Sequence, residues 1–362
     1  MPTTHAEFGS KTEAVEVAKA FPERVKGKTA FVTGGNIKGL GFQHAYGLAA
    51  GGAKRIILAS RTAAKTAESI AAIKADFPDV DVRPLDVDLS SQASVRAAAA
   101  TVLGWADVPT IDYVINVAGI MGLPERQLSV DGIEMHMATN HIGHWLLTCL
   151  LMPKLIAAAQ QPGVPKGGVR IVNVSSGSPY VATMRWSDMN FEVVNKELPQ
   201  AEQPSYELLS HWGYKDSENK AYVGLDGYNR SKVANVLCGI GFTRALYDKY
   251  GILGLAVHPG VIETELVRSF EPEVITSIYN MRDAGVFAVK TPGAGAATAL
   301  VAALDPAVTV EARGGPNNTE NYGAFMDDCQ VTDKARELAT SSAEADKLWS
   351  LSESLVKEKF SW

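Results

Sequence analysis

Thr29-Ala30-Phe31-Val32-Thr33-Gly34-Gly35-Asn36-Ile37-Lys38-Gly39-Leu40-Gly41 is the stretch that decides how the rest of this chain is read. A short run of apolar and β-branched residues leads straight into a glycine-rich turn, and a helical pattern follows from Phe42. Such a turn lets backbone N–H groups approach a pyrophosphate, and the helix N-terminus adds partial positive charge. Glycine-rich strand–helix turns also occur without a ligand, so this one is weighed with its surroundings.

Similar apolar runs recur at Arg55–Ala59, Val80–Leu85, Ile111–Val117, Val169–Val174 and Leu253–His258. Ala-rich or amphipathic stretches of helical period, such as Ala63–Phe77 and Ser91–Ala106, separate them. Strands this apolar are buried on both faces, which predicts a parallel sheet with helices on each side. The alternation predicts an α/β fold with a doubly wound, mostly parallel sheet of Rossmann type. About seven strands are expected, the last near Tyr322–Met326, in one domain spanning residues 1–362.

The second run ends Leu58-Ala59-Ser60-Arg61, which puts Arg61 20 residues after Gly41. An NAD site wants an acid there for the ribose 2′-hydroxyl, whereas an NADP site wants an arginine nearby for the 2′-phosphate. Arg61, with Lys38 in the turn, predicts NADP(H). Each cation taken alone also reads as a solvated surface charge.

Composition bounds the remaining classes. The 362 residues carry 34 Lys and Arg against 40 Asp and Glu, a net charge of −6, with 46% hydrophobic and 20% charged residues. These values exclude a disordered or fibrous chain. Without a basic block, no nucleic-acid partner and no anionic membrane surface are expected. Cys149, Cys238 and Cys329 form neither a CxxC nor a Cys/His cluster, so inert thiols and no metal are expected. The N-terminus lacks the apolar core of a signal peptide. The longest apolar run, Trp145–Ala159, is interrupted by Pro153 and Lys154 and is expected to fall short of a membrane span. A cytoplasmic location is the expectation.

Gly227-Tyr228-Asn229-Arg230-Ser231-Lys232 carries the chemistry. Tyr228 and Lys232 are four apart and share one helix face. A tyrosine hydroxyl titrates near pH ~10, and a neighbouring ammonium lowers that value toward useful acid–base work. Helices also carry such pairs by chance.

Further motifs occur in order along the chain: Asp88-Leu89 after the third run, Asn116-Val117-Ala118-Gly119, Asn140, Ser175-Ser176, the Tyr228–Lys232 pair and Pro259-Gly260-Val261-Ile262-Glu263-Thr264. With the glycine turn, they resemble the short-chain dehydrogenase/reductase family in its single-domain form, over roughly residues 28–304. The nearest likenesses are to retinol dehydrogenases, the WW-domain oxidoreductase and long fungal-type members, which often serve specialised metabolism. The resemblance implies a catalytic tetrad of Asn140, Ser176, Tyr228 and Lys232. Tyr228 would donate a proton to a carbonyl oxygen as hydride arrives. Ser176 would orient that oxygen, and Lys232 would lower the Tyr228 pKa and hold ribose hydroxyls. Asn140 would position a water linking Lys232 to solvent. Ser175 competes with Ser176, and the second of the pair matches the family better.

The resemblance also implies NADP(H) contacts from the turn residues Gly34, Asn36, Lys38, Gly39, Leu40 and Gly41. Arg61, Asp88, Leu89, Asn116, Ala118 and Gly119 would follow. Tyr228, Lys232, Pro259, Gly260, Val261 and Thr264 would complete the set. The reaction implied is reversible hydride transfer between the nicotinamide and the carbonyl or secondary alcohol of a small apolar or aromatic substrate. An NADP-binding sensor or scaffold without turnover, and a lyase or epimerase reusing the Tyr–Lys pair, are the competing classes.

The chain departs from the family pattern in several places. The glycine turn is one residue too long, which leaves open whether Gly34 or Gly35 acts as its first glycine. Val117 replaces an asparagine. Ser176 and Tyr228 are 52 residues apart, far more than in many relatives. The insert 177–227 carries seven aromatics in 51 residues: Tyr180, Trp186, Phe191, Tyr206, Trp212, Tyr214 and Tyr222. It reads either as a flap over the nicotinamide or as a loop with its own small core. Residues 265–290, with Phe270, Ile275 and Ile278, fall where the family places a substrate lid, or they pack as ordinary helix. His141 and His144 are expected to pack or bond to backbone. Residues 1–27 read as a polar arm, and residues 291–362 as closing helices, last strand and tail. A homodimer or homotetramer would pair Trp145–Ala159 and Val233–Tyr250, unless the extensions cover those helices.

Overall fold

The computed structural model describes residues 3–309 and 320–362. The six apolar runs become β1 (Thr29–Thr33), β2 (Arg55–Ser60), β3 (Asp81–Asp86), β4 (Tyr113–Asn116), β5 (Val169–Val174) and β6 (Ile252–His258). Four short strands follow: β7 (Val261–Ile262), β8 (Val289–Lys290), β9 (Phe325–Asp327) and β10 (Gln330–Val331). The main sheet has eight strands in the order β10-β9-β6-β5-β4-β1-β2-β3, and β7 pairs with β8 apart from it. Every pairing in the main sheet is parallel except β9–β10. The doubly wound expectation holds, with eight strands rather than about seven.

Alternate residues of each strand point to opposite layers. Phe31 and Ile57 enter one core with the helices Gln92–Gly104, Gly143–Ala159 and Gly224–Tyr250. Ala30, Val32, Ile56 and Leu58 enter the other with Leu40–Ala50 and Pro292–Leu304. The strand order reverses between β1 and β4, and the crevice at such a reversal is where ligands of this architecture bind.

Both extensions pack onto this sheet. In the arm, Phe8, Val17 and Phe21 enter the second core. The arm also runs along β10, where the Gln330 amide donates to the carbonyls of Phe8 (2.8 Å) and His5 (3.2 Å). At the other end, the helix Ser342–Val356 lies on Gly224–Tyr250. Trp349 meets Trp145 and Phe242 edge-on, each at 5.3 Å between ring centres. Phe360 adds a second edge contact on Trp145 at 5.4 Å. The tail therefore covers part of the helical surface through which pairing was expected.

The run at Trp145–Ala159 proves to be part of a longer helical stretch, Met135–Ala159. By length and composition alone that 25-residue stretch is apolar enough to cross a membrane, but 72% of its most apolar window is buried in this fold. Residues Ala138–Ile142 form a π-helical turn within it. Such turns cluster at functional sites, and this one carries Asn140.

Candidate active site

A cavity of about 360 Å³ opens at the C-terminal ends of β1, β2 and β4. Its floor is the glycine turn. Gly34 takes a left-handed conformation (φ +84°) and lines the cavity, while Gly35 is buried against Leu58. Gly34 is thus the first glycine of the turn. The extra residue is absorbed by tight turns: Asn36 N–H donates to Gly34 O and Gly39 N–H to Asn36 O, both at 2.8 Å. A Cβ at Gly41 would stand 2.3 Å from Gly34 O, so only glycine lets the helix start so close to the strand end. That helix, Leu40–Ala50, has no side-chain cap at Gly39, which leaves its first N–H groups for an anion.

Tyr228 and Lys232 enter the same cavity from the helix Gly224–Tyr250 and are almost fully buried. The Lys232 ammonium donates to Val174 O at 2.8 Å and lies 5.7 Å from the centre of the Tyr228 ring. Burial pushes Lys232 down to about 7. Burial also pushes Tyr228 up to about 12, and a hydrogen bond with the Ser176 side chain draws it partly back. Burial, rather than the Lys232 ammonium, is the leading influence on Tyr228 in this structure. Both groups lose water, and for each the neutral form gains. Ser176 Oγ donates to Ser178 Oγ at 2.7 Å, and Ser178 donates to the Asn229 side chain at 2.7 Å.

Asn140 is fully buried. Its carboxamide oxygen accepts from Ile120 N–H (2.9 Å), and its amide donates to Ile120 O (3.0 Å) and Ser231 Oγ (2.9 Å). The side chain thus holds the Ile120 backbone at both N–H and C=O. Asn140 O accepts from His144 Nδ1 at 3.1 Å, and His144 Nε2 meets Thr33 Oγ1 at 2.9 Å. Thr33 Oγ1 already accepts from Val117 and Ala118 N–H, so its one proton goes to Nε2 and the ring proton sits on Nδ1. Burial holds His144 near 4. His141 meets Ser352 Oγ at 2.9 Å, so both histidines pack as expected.

A family model for short chain dehydrogenase matches residues 28–187. The oxidoreductase fscI of Fusarium equiseti is 32% identical over 253 residues, covering 70% of this chain and 94% of its own. Retinol dehydrogenase 12 of Homo sapiens is 30% identical over 335 residues, covering 91% of this chain and 86% of its own. Among solved structures, a protein from Mycobacterium Paratuberculosis superposes with a TM-score of 0.61 at 25% identity, over 94% of this chain and 99% of that one. This chain belongs to the short-chain dehydrogenase/reductase family.

Members of the short-chain dehydrogenase/reductase family use nicotinamide cofactors, and the residues here fit one. An uncapped helix N-terminus, a glycine-rich turn and the cations Arg61, Lys65 and Arg268 face one cavity. Of the expected contacts, Asn36, Gly39, Leu40, Leu89, Ala118, Gly119, Pro259 and Thr264 line it as well. Lys38, Asp88, Asn116, Gly260 and Val261 do not. Lys38 is exposed on the turn. The Asp88 carboxylate accepts from Ser90 N–H and Oγ. The Asn116 amide donates inward to Asn173 Oδ1 (2.9 Å) and Thr148 Oγ1 (3.2 Å), tying β4 to β5 and to the helix Gly143–Ala159. Val261 pairs with Val289, and Gly260 lies against the Lys290 side chain.

Sequence reasoning missed Lys65, Glu265 and Arg268, which also line the cavity. Lys65 lies four residues after Arg61, a spacing that could have flagged it; Glu265 and Arg268 arrive from the lid. The Glu265 carboxylate accepts from Asn36 Nδ2 at 2.6 Å and from Lys65 Nζ at 2.9 Å. On the far side of Tyr228, the insert and the lid share one apolar cluster. Leu209, Val223 and Leu225 of the insert meet Phe270 and Val274 of the lid around Met121 and Tyr228. Trp212 and Tyr214 pack against this cluster. Phe191 instead packs under Arg185 at 4.4 Å, and the Trp186 N–H donates to Glu344 at 2.6 Å. The insert is thus part site wall and part self-packed loop.

Proposed function

We propose that this chain is an NADPH-dependent oxidoreductase that reduces the carbonyl of an apolar or aromatic substrate and runs in reverse on the secondary alcohol. One observation carries the reading: the buried Tyr228 belongs both to the cofactor-sized cavity and to the apolar cluster of insert and lid. When bound, a nicotinamide cofactor would supply or accept the hydride. The N–H groups from Gly39 onward would hold the pyrophosphate. Arg61 and Lys65, with no acid at the end of β2, would hold the 2′-phosphate. With its pKa pushed up to about 12, Tyr228 keeps its proton at neutral pH and has it to give to the carbonyl oxygen. Ser176 would hold that oxygen, and Lys232, pushed down to about 7, can gain or lose a proton at working pH. The retinol dehydrogenase among the relatives supports an apolar substrate.

Tyr228→Phe tests the reading. Across a panel of carbonyls it should abolish NADPH oxidation while NADPH binding stays near normal. Retained turnover would remove Tyr228 as the proton donor and the reading with it.

A further inference from the structure

The ring of the lid residue Phe270 packs directly against Gly122. Gly122 adopts φ +66°, and a Cβ built there would stand 2.0 Å from Phe270 Cε1 and 2.2 Å from Cδ1. No other residue type leaves room for the ring. Gly122 lies two residues beyond Ile120, whose backbone the Asn140 side chain grips at both N–H and C=O. Phe270 is only 6% exposed and shares a cluster with Tyr228, Met121 and Val274. The Trp212 ring of the insert stands 6.5 Å away between centres, tilted by 51°. The lid helix that follows, Pro272–Asp283, rests on the same insert, with Ser277 against Gly213.

Resting on the carbonyl-reductase reading, we propose that Phe270 is a specificity-determining residue. Its ring, seated on Gly122 and beside Trp212, sets how bulky a carbonyl compound can reach Tyr228. The bound compound is a carbonyl on a flat, apolar body that shares the space with this ring. Aromatic surfaces favour offset or edge contact with such a partner. Substrate size is then read by one side chain of the lid on a platform built by the core and the insert. Shortening that side chain enlarges the accepted substrate without touching the cofactor.

The test compares benzaldehyde with 9-anthraldehyde in the full-length protein, in Phe270→Ala, Phe270→Leu, Gly122→Ala and the Gly122→Ala/Phe270→Ala double variant. In Phe270→Ala the ratio of kcat/KM for the larger to the smaller aldehyde should rise roughly tenfold or more, the scale that small changes in an apolar pocket reach. Phe270→Leu should fall between Phe270→Ala and the unaltered chain. Gly122→Ala should raise the ratio by unseating the ring, and in the double variant it should add nothing to Phe270→Ala. NADPH affinity should stay within about twofold throughout. An unchanged ratio in both Phe270 variants, or additive effects of Gly122→Ala and Phe270→Ala, would overturn the proposal. Should the unaltered chain reduce neither aldehyde nor any ketone of the carbonyl panel, the reductase reading fails by itself. Calorimetric binding of 9-anthraldehyde to the NADPH-loaded protein then decides: tighter binding to Phe270→Ala upholds the size role, and equal binding overturns it.

Discussion

Ser175 Oγ donates to the backbone carbonyl of Lys232 at 2.6 Å, so the two adjacent serines have separate tasks. Ser175 ties the end of β5 to the helix that carries Tyr228, while Ser176 keeps its hydroxyl beside the phenol. Ser176→Ala is expected to lower kcat for carbonyl reduction roughly 10²- to 10³-fold, the loss seen when a donor to a developing oxyanion is removed. Ser175→Ala is expected to cost about 0.5–1.5 kcal/mol of stability, because it removes one buried hydrogen bond while the Lys232 carbonyl keeps its intrahelical partner. Steady-state kinetics beside urea unfolding check this, and equal kcat losses in the two variants would refute the division.

Lys232 is buried at a cost that its function requires. With its pKa pushed down to about 7, the folded protein near neutrality opposes a charge that the unfolded chain accepts freely. Val174 O also accepts from Asn235 Nδ2 at 3.2 Å, so it keeps a partner when the ammonium is removed. Lys232→Met should therefore stabilise the fold at pH 7 by up to about 4 kcal/mol while abolishing reduction. Thermal unfolding and an activity assay on the same preparation measure both. A destabilised variant would contradict the burial argument.

Acid should unfold this protein through its histidines. Burial holds His44 and His144 near 4 and His141 near 3. Between these values and the ordinary 6.5 the unfolded chain binds more protons than the folded one, so stability is full above pH ~6.5 and falls as pH drops toward 4. Taken together the three account for on the order of 10 kcal/mol, comparable with the whole stability of an ordinary domain. Urea midpoints at pH 7, 6, 5 and 4 should decline steadily. A flat profile would show that these rings become protonated without unfolding.

The cations around the cavity should sort the two dinucleotides. Arg61→Ala and Lys65→Ala are each expected to weaken NADPH binding roughly tenfold or more, the scale of one charge-assisted bond, and to leave NADH nearly unchanged. Glu265→Gln should act in the opposite sense. Its carboxylate sits on Lys65 and Asn36, with its own pKa held low by both, so neutralising it frees the lysine for the phosphate. Fluorescence titration of both cofactors tests all three variants, and equal losses of NADH and NADPH in Lys65→Ala would remove it from the phosphate site.

Trp349 locks the tail to the core between Trp145 and Phe242. Trp349→Ala is expected to cost about 3 kcal/mol. Deleting residues 342–362 should bare the apolar faces beneath and drive association, visible as a larger mass in light scattering. A truncated chain that remains as stable and as small as the intact one would contradict the packing described.

Much of this was legible in the residues. Runs such as Val169–Val174 are apolar enough to announce a strand buried on both faces, and the Tyr228–Lys232 spacing announces a shared helix face. Strands of two residues, such as β7, β8 and β10, carry no pattern long enough to read. The choice between Gly34 and Gly35 needed a backbone angle. Asp88 and Asn116 were found by position, but position does not give direction, and their side chains turn to a neighbouring turn and to the sheet interior. Lys65 was within reach through its spacing from Arg61. Arg268 was not, because only tertiary folding brings the lid to the turn. The Tyr228–Lys232 reading rested on charge, and the depth of burial that leads the pKa of both groups comes only from the folded packing.

The contacts of the N-terminal arm with Gln330 bear on the protein's solubility. An open sheet ends in two rows of backbone groups that can template pairing with another chain. At β3 the danger is met from within the strand, by Pro84 and the charges of Asp81, Arg83 and Asp86. At β10 the strand has no such residues, and the stretch from Thr3 to Phe8 lies along it instead, with Thr3 Oγ1 donating to Gln330 Oε1 at 2.8 Å. The arm is therefore a guard against edge-to-edge aggregation, acting at the opposite edge of the sheet from β3 and independently of the chemistry at Tyr228.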